Sequence, residues 1–414
     1  MSLSLKKLFS YSDVLQQAGA SAFLTSRCLS ALSSQIQAVA VGWQVYALTH
    51  DVRSLGLIGL MQFLPMITLV LLAGHAADQF NRRYITTSCQ IVEGVAAFYM
   101  ALGSYFHWLS VHEIYIMVII FGAARAFEMP SQQTFLVSLV PPTLFPKATA
   151  LSSSLFQTAS LIGPSLGGLL YGLGASFAYS IACTGFLCSA LATFSMKLNY
   201  APAKRTPLTL ASIFGGISFI RSRRIMLGAI SLDLFAVLLG GATAMLPVYA
   251  NDILHSGPIT LGILRSAPAI GALTVALILS RWPLTSHAGR WMFGSVAVFG
   301  LATILFGFSS SAPLSIAALT ILGGADVFSV VIRSSLVQLG TPDEMRGRVS
   351  AINMVFIGSS NQLGEFESGM LASFTGPVYS VVIGGMGTLL IAFLWARAFP
   401  ELFELDRLDE TKPL

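Results

Sequence analysis

The chain has 414 residues, 55% of them hydrophobic and only 10% charged, with a formal net charge of +5. An ordinary soluble domain carries about 25% charged residues, and the mean hydropathy of +0.76 lies equally far from that class. These figures exclude a disordered chain and an ordinary soluble protein, and they define an integral membrane protein.

The elements follow in chain order. Lys6 and Lys7 precede a polar stretch, Ser10 to Asp13, so the start does not read as a signal peptide, and residues 1–20 are expected at the membrane surface. About twelve apolar stretches long enough to cross a bilayer follow. They centre on Ala38, Leu64, Ala96, Gly122, Ser160, Gly185, Val237, Leu273, Val298, Ile321, Ile357 and Leu389. Their uninterrupted length argues against a β-barrel. Basic residues collect in alternate loops, with Arg53 the secure exception, which places both termini in the cytoplasm. The excess positive charge is therefore an orientation signal and not a nucleic-acid one. Cys28, Cys89, Cys183 and Cys188 all lie in apolar runs and form neither a disulfide framework nor a metal site.

The first span carries Arg27, Ser30, Ser34, Gln37 and Gln44 at helical spacing, a polar stripe expected to line a cavity, with inter-helix packing as the alternative. Between the second and third spans stands Gly74-His-Ala-Ala-Asp78-Gln-Phe-Asn81-Arg82-Arg83, read as a tight cytoplasmic turn in which Asn81 tolerates a left-handed backbone. Charges inside spans are expensive and need a reason; they are Arg27, Glu93, Arg125, Glu128, Asp233, Asp326, Arg333, Glu365 and Glu367. In the fourth span Arg125, Glu128 and Gln132 share a face, as a static ion pair or as a protonation switch. The fifth span contains Gly163-Pro164-Ser165-Leu166-Gly167-Gly168, where proline invites a bend and the glycines admit a neighbouring helix.

The longest hydrophilic break, Asn199 to Arg224, divides the chain into residues 1–197, a basic linker 198–224, and residues 225–414. Within it Ile213, Phe214, Ile217 and Ile220 predict a short amphipathic helix, with Arg221, Arg223 and Arg224 facing anionic headgroups. Leu136-Val137, Leu139 and Pro142 recur as Leu336-Val337, Leu339 and Pro342, which supports a duplicated bundle, a common transporter plan. In the seventh span Asp233 is a candidate proton site, with a salt bridge to Arg27 as the alternative. Asp326 with Arg333 in the tenth span, and Asn361 with Glu365 in the eleventh, mark further polar faces. Glu365 is assigned to the cavity and Glu367 to packing.

The loop Gly74, Asp78, Arg82, Arg83 resembles the signature loop of the major facilitator superfamily, with Gln79 in place of a basic residue and Asn81 in place of glycine. The resemblance implies an all-α membrane protein of twelve transmembrane helices in two pseudo-symmetric six-helix bundles, and a conformational lock at Asp78. Gly163, Pro164, Gly167 and Gly168 resemble the end of the antiporter motif of drug exporters, although Ala159 stands where that motif has glycine. Arg125 resembles the arginine of the superfamily's fourth-helix motif, which implies a part in proton coupling. The stretches Pro130 to Leu151 and Thr341 to Val349 resemble a subgroup that includes the enterobactin exporter and macrolide efflux proteins.

These readings converge on a proton-coupled exporter of an amphipathic small molecule, working by alternating access in a bacterial-type inner membrane. A siderophore or lipid-like metabolite is the alternative cargo. The proton-coupling candidates are Glu128, Arg125, Asp233 and Glu365. The cavity candidates are Arg27, Ser34, Gln37, Gln44, Gln132, Asp326 and Asn361. No cofactor, metal or nucleic-acid partner is expected; protons, substrate and membrane lipids are, and the chain is expected to be monomeric. A non-transporting receptor keeps the same fold. The pattern G-x-S-x-G at Gly163 to Gly167 also fits a hydrolase elbow, but it lies in a membrane helix with no histidine in reach. No Gly-Lys dipeptide occurs, so a Walker phosphate loop is absent and no enzyme is expected.

Overall fold

The structure, a computed structural model, describes residues 13–17, 19–141, 143–196, 210–282, 284 and 286–407. The expectations for the residues before 13, for Pro142, for Lys197 and for most of the linker, 198–209, lie outside the described residues. So do the side chains of Asp78, Ile213 and Phe214, and the surroundings of Gly74.

Among the described residues the chain is helical throughout. The long elements are α1 (Ala20–Thr49), α2 (Val52–Gln79), α3 (Arg82–Tyr105), α4 (Val111–Leu139), α5 (Phe145–Gly172) and α6 (Ala175–Ser195). A short α7 (Leu210–Ser222) precedes α8 (Arg224–Leu239), which continues through 3-10, α and π turns to Ile253. Then come α9 (Pro258–Arg281), α10 (Ala288–Gly307), α11 (Ala312–Leu339), α12 (Asp343–Thr375), α13 (Pro377–Ala398) and α14 (Pro400–Phe403). Nine of the described helical segments are long and apolar enough to cross a membrane. The other three sequence centres, Ala38, Ser160 and Ile357, fall in α1, α5 and α12, which are 30, 28 and 33 residues long.

Local sequence explains where helices begin and end. Asp51 accepts from the Arg53 N–H at 3.0 Å and opens α2. Asn81 does not take the left-handed backbone expected of it. Its φ is −65°, and its side chain accepts from the Arg83 N–H to cap α3. Capping satisfies a free helix N–H, which a left-handed turn at this position would leave unmet. Proline opens α9, α13 and α14, where its missing N–H costs nothing. The helix α4 ends at Leu139 and α11 at Leu339.

The chain forms two compact units, Met1–Gln44 with Leu64–Pro207, and Val45–Phe63 with Leu208–Leu414. In the first, α3 packs along α6 and against α4. Its apolar cluster joins Phe23 and Leu24 of α1 to Phe135, Leu136 and Leu139 of α4, with Ala148 of α5 and Met196. In the second, α11 packs on α9 and α10, and α10 on α13. The segment Val45–Phe63 belongs to this unit because glycines admit it. A Cβ on Gly59 would stand 2.5 Å from the Gln362 carbonyl oxygen, and one on Gly56 3.0 Å from the Gly369 Cα.

The linker helix α7 corrects one expectation. Ile220 is 3% exposed and, with Ile217, packs on Met226, Ile230, Val337, Val349 and Ile352. Its described apolar side chains face protein rather than lipid. Arg223 stacks on Phe219, and Arg224 pairs with Glu401 at 3.4 Å.

Candidate functional site

The densest buried polar cluster lies inside the first unit, where α1, α3, α4 and α6 meet. Gln90 and Glu93 occupy one face of α3, one helical step of three apart. Arg125, Glu128 and Gln132 occupy one face of α4. Glu93 and Glu128 are both fully buried. Glu128 is well supplied: its Oε1 accepts from Gln90 at 2.9 Å, Gln132 at 2.7 Å and Ser30 at 3.3 Å. Arg125 donates to its Oε2 at 3.2 Å. The same guanidinium reaches back to Glu93, with Nε 3.5 Å from Oε1. Arg125 keeps 27% of its side chain exposed, so the cluster is sealed on the acid side and open at the arginine.

A second shell of hydroxyls fixes Gln90. Thr193 donates to its Oε1 at 2.9 Å, and its amide nitrogen donates to Ser26 at 3.1 Å. Ser26 in turn meets Ser189 and Thr193. These small polar residues of α1 and α6 lie among apolar neighbours, where an unmatched polar group costs several kcal/mol. They orient the glutamine that orients Glu128.

The first-span stripe divides by depth. Ser30 joins the acid cluster, Gln37 is buried, and Ser34 is half-buried. Gln44 donates to Ser104 at 3.0 Å, an inter-helix contact of the kind weighed against cavity lining. Arg27 stacks over Phe156 at 5.7 Å and acts electrostatically on Glu128. The glycines of α5 admit a neighbouring helix. A Cβ on Gly163 would stand 2.6 Å from the Gln35 Cβ, and one on Gly167 3.0 Å from the Ile36 Cα, so α5 lies directly against α1. Gly168 and Pro164 are buried beside them. Arg83 of the signature loop donates to the Met196 carbonyl at 2.8 Å and stacks on Phe194.

Within the second unit Asp233 of α8 pairs with Arg333 of α11 at 2.5 Å, both side chains nearly sealed. Arg333, and not Arg27, is thus its salt-bridge partner. Ser329 donates to the other oxygen of Asp233 at 3.4 Å, and Asp326 lies within electrostatic range of both charges. Asp233, Asp326, Ser295 and Phe299 border a cavity of about 10 Å³, roughly the space one water needs. Glu365 of α12 faces the charge of Arg265 from α9 and lies against Gly59; Asn361 is exposed. Tyr46 donates to Asp252 in the same unit.

The structure thus assembles Arg125, Glu128 and Gln132, and Asp233 with Asp326, but it leaves Glu365 and Asn361 outside either cluster. Glu93 and Gln90 complete the first cluster and were not ranked from sequence. The available signal was Glu93, an acid within the third span, with Gln90 three residues before it.

A helical membrane fold with a buried acid–arginine cluster in each unit fits the transporter class. The family described as transmembrane secretion effector matches residues 11–412. The chain belongs to that family, a branch of the major facilitator superfamily of transporters. It is a multi-pass inner-membrane transporter and not an enzyme. The enterobactin exporter of Shigella boydii serotype 18 is 24% identical over 393 residues, 95% of this chain and 94% of that protein. The enterobactin exporter of Escherichia coli O139:H28 is 23% identical over the same coverage. Among solved structures, a bacterial homologue of the human lysosomal transporter Spinster, inward-facing and occupied, superposes with a TM-score of 0.74 at 13% identity, covering 92% of this chain and 97% of that one. A nucleoside transporter superposes at 0.69 and 16% identity, covering 91% and 100%. These likenesses establish the fold.

Proposed function

We propose that the protein exports an amphipathic small molecule by alternating access, driven by inward movement of protons. The observation that carries the reading is the buried pair of carboxylates sharing one guanidinium, Glu93, Glu128 and Arg125. Removing or adding one proton there changes the charge of a sealed site, and that change biases a conformational equilibrium by its differential stability in the two states. Glu128 with Arg125 is the first coupling candidate; Asp233 and Glu365 follow. Arg27, Ser34, Gln37, Gln132, Asp326 and Asn361 remain candidates for cargo contact. Both enterobactin exporters align over almost their full length, which favours an enterobactin-like cargo over a lipid-like metabolite. Twelve crossings, two six-helix halves joined by residues 198–224, cytoplasmic termini and a monomer complete the proposal.

Flux in sealed vesicles with an imposed pH gradient tests it. The panel is enterobactin, a macrolide and a cationic dye, with Asp78→Asn as the signature-loop control. Gradient-dependent movement of one compound, abolished in the control, is the expected result. Equal movement with and without the gradient overturns proton coupling, and no movement across the panel overturns the cargo class.

A further inference from the structure

We propose that Arg27 is the counter-charge for the cargo, which is therefore an anionic amphipath: its acidic group meets the guanidinium and its apolar body lies in the groove alongside. The inference deepens the export reading above by naming a charge class, and it does not depend on proton coupling. Arg125 and Arg333, inside their spans, each lie within 3.5 Å of a buried acid. Arg27, half-buried on α1, forms no ion pair and donates no hydrogen bond among the described residues. Glu128, the acid that acts on it, is held instead by Arg125, Gln90, Gln132 and Ser30. A cation inside a span costs free energy and marks a partner or a pathway. Nor does Arg27 simply reach for water. Its Nε is sealed without a partner, and its guanidinium lies over the Phe156 ring of α5, 5.7 Å from the centroid. The ring holds the cation from one face. The terminal nitrogens are not sealed, and their N–H groups are open to an anion.

The apolar half of the site lies beside this cation. An open groove of about 480 Å³ is lined by Leu24, Thr25, Cys28 and Leu29 of α1 and by Leu151 and Leu155 of α5. Leu24 stands one helical step of three before Arg27 and shares its face, and Leu155 directly precedes Phe156. Phe156 is itself 42% exposed, so the ring under the guanidinium is open to a bound molecule. The groove's volume falls in the range of small-ligand pockets, about 300–1,000 Å³. Its lining carries hydroxyls and a thiol but no charge. Such a wall takes neutral and charged amphipaths alike, so selection by charge falls to Arg27.

Equilibrium binding to the full chain in zwitterionic lipid nanodiscs, corrected for empty discs, tests the assignment with two fluorescent probes that share one apolar body. Anilinonaphthalene sulfonate is anionic, and phenylnaphthylamine lacks the sulfonate. Arg27→Gln should weaken the sulfonate probe about tenfold, the loss of one charge-assisted contact. Arg27→Lys should recover part of that loss, and the neutral probe should bind all three proteins alike. Arg27→Gln should unfold close to the wild-type temperature, since only the ring contact is lost. Equal affinity of the sulfonate for wild type and Arg27→Gln overturns the proposal. So does an equal loss of both probes with early unfolding, which marks a structural arginine. An anionic phospholipid retained by the wild type and lost from Arg27→Gln, read by native mass spectrometry, assigns the arginine to a headgroup and also overturns it. Vesicle flux is judged separately. Charge-selective binding without gradient-driven flux removes proton-driven export and leaves the anion site standing, whereas gradient-driven flux of the cationic dye alone, with no charge-selective binding, does the reverse.

Discussion

Arg333 and Asp233 meet at 2.5 Å with side chains 4% and 5% exposed. Such a pair is weak evidence for stability taken whole, because desolvation offsets most of the attraction. Its halves are another matter. Asp233→Ala leaves a buried guanidinium without its counter-ion, and removing one partner of a buried pair costs about 3–5 kcal/mol. The double variant Asp233→Leu with Arg333→Leu should recover most of that loss. Unfolding in detergent, followed by helical circular dichroism, checks both. If the single and double variants unfold alike, the pair is not the unit argued here. Sequence placed Asp233 in the membrane but could not choose its partner. Arg333 lies 100 positions away, and only the packing of α8 on α11 brings the two together.

At the scale of elements, close helix contact depends on residues without side chains. A Cβ on Gly271 of α9 would stand 1.8 Å from the Thr320 carbonyl oxygen of α11, and one on Gly323 of α11 2.0 Å from that of Pro268. Both obstacles are backbone and cannot rotate aside. Gly271→Ala should therefore force the helices apart and cost about 1–3 kcal/mol. Gly294 in α10 is the control, since a Cβ there meets nothing within 4 Å. Gly294→Ala should be neutral or stabilise by up to about 1 kcal/mol through helix propensity. Unfolding temperatures of the two variants, measured side by side, check the contrast. This layer was partly legible. Gly163 and Gly167 were read as a helix contact because they stand together with proline in one apolar run. Gly271, three residues after Pro268, and Gly323, next to Gly324, were not singled out, because a glycine in a membrane helix does not by itself say which neighbour it meets.

At the scale of the molecule, hydropathy carried furthest. All twelve sequence centres lie inside helices of the structure, because a bilayer imposes a length and polarity that a local window can read. The acid cluster was half legible. Arg125, Glu128 and Gln132 share one face of one helix, so periodicity finds them, whereas Glu93 and Gln90 reach the cluster from a separate helix, and periodicity along α4 says nothing of α3. Orientation rests on the same kind of long-range sum. Arg82 and Arg83 open α3, Arg290 opens α10 and Arg397 closes α13, while Arg53 alone stands securely in the opposite loops. The positive-inside rule then predicts residue 82 in the cytoplasm and residue 53 outside. Truncations fused to a fluorescent protein that matures only in the cytoplasm, and to an alkaline phosphatase active only outside it, read this directly. Fusions after Arg83 and after Arg407 should fluoresce, and a fusion after Arg53 should show phosphatase activity. Replacing Arg82 and Arg83 together by Gln should weaken the first signal without inverting the last, since the remaining basic loops still hold the later spans. Fluorescence from the fusion after Arg53 would reverse the orientation, and with it the direction assigned to proton and cargo.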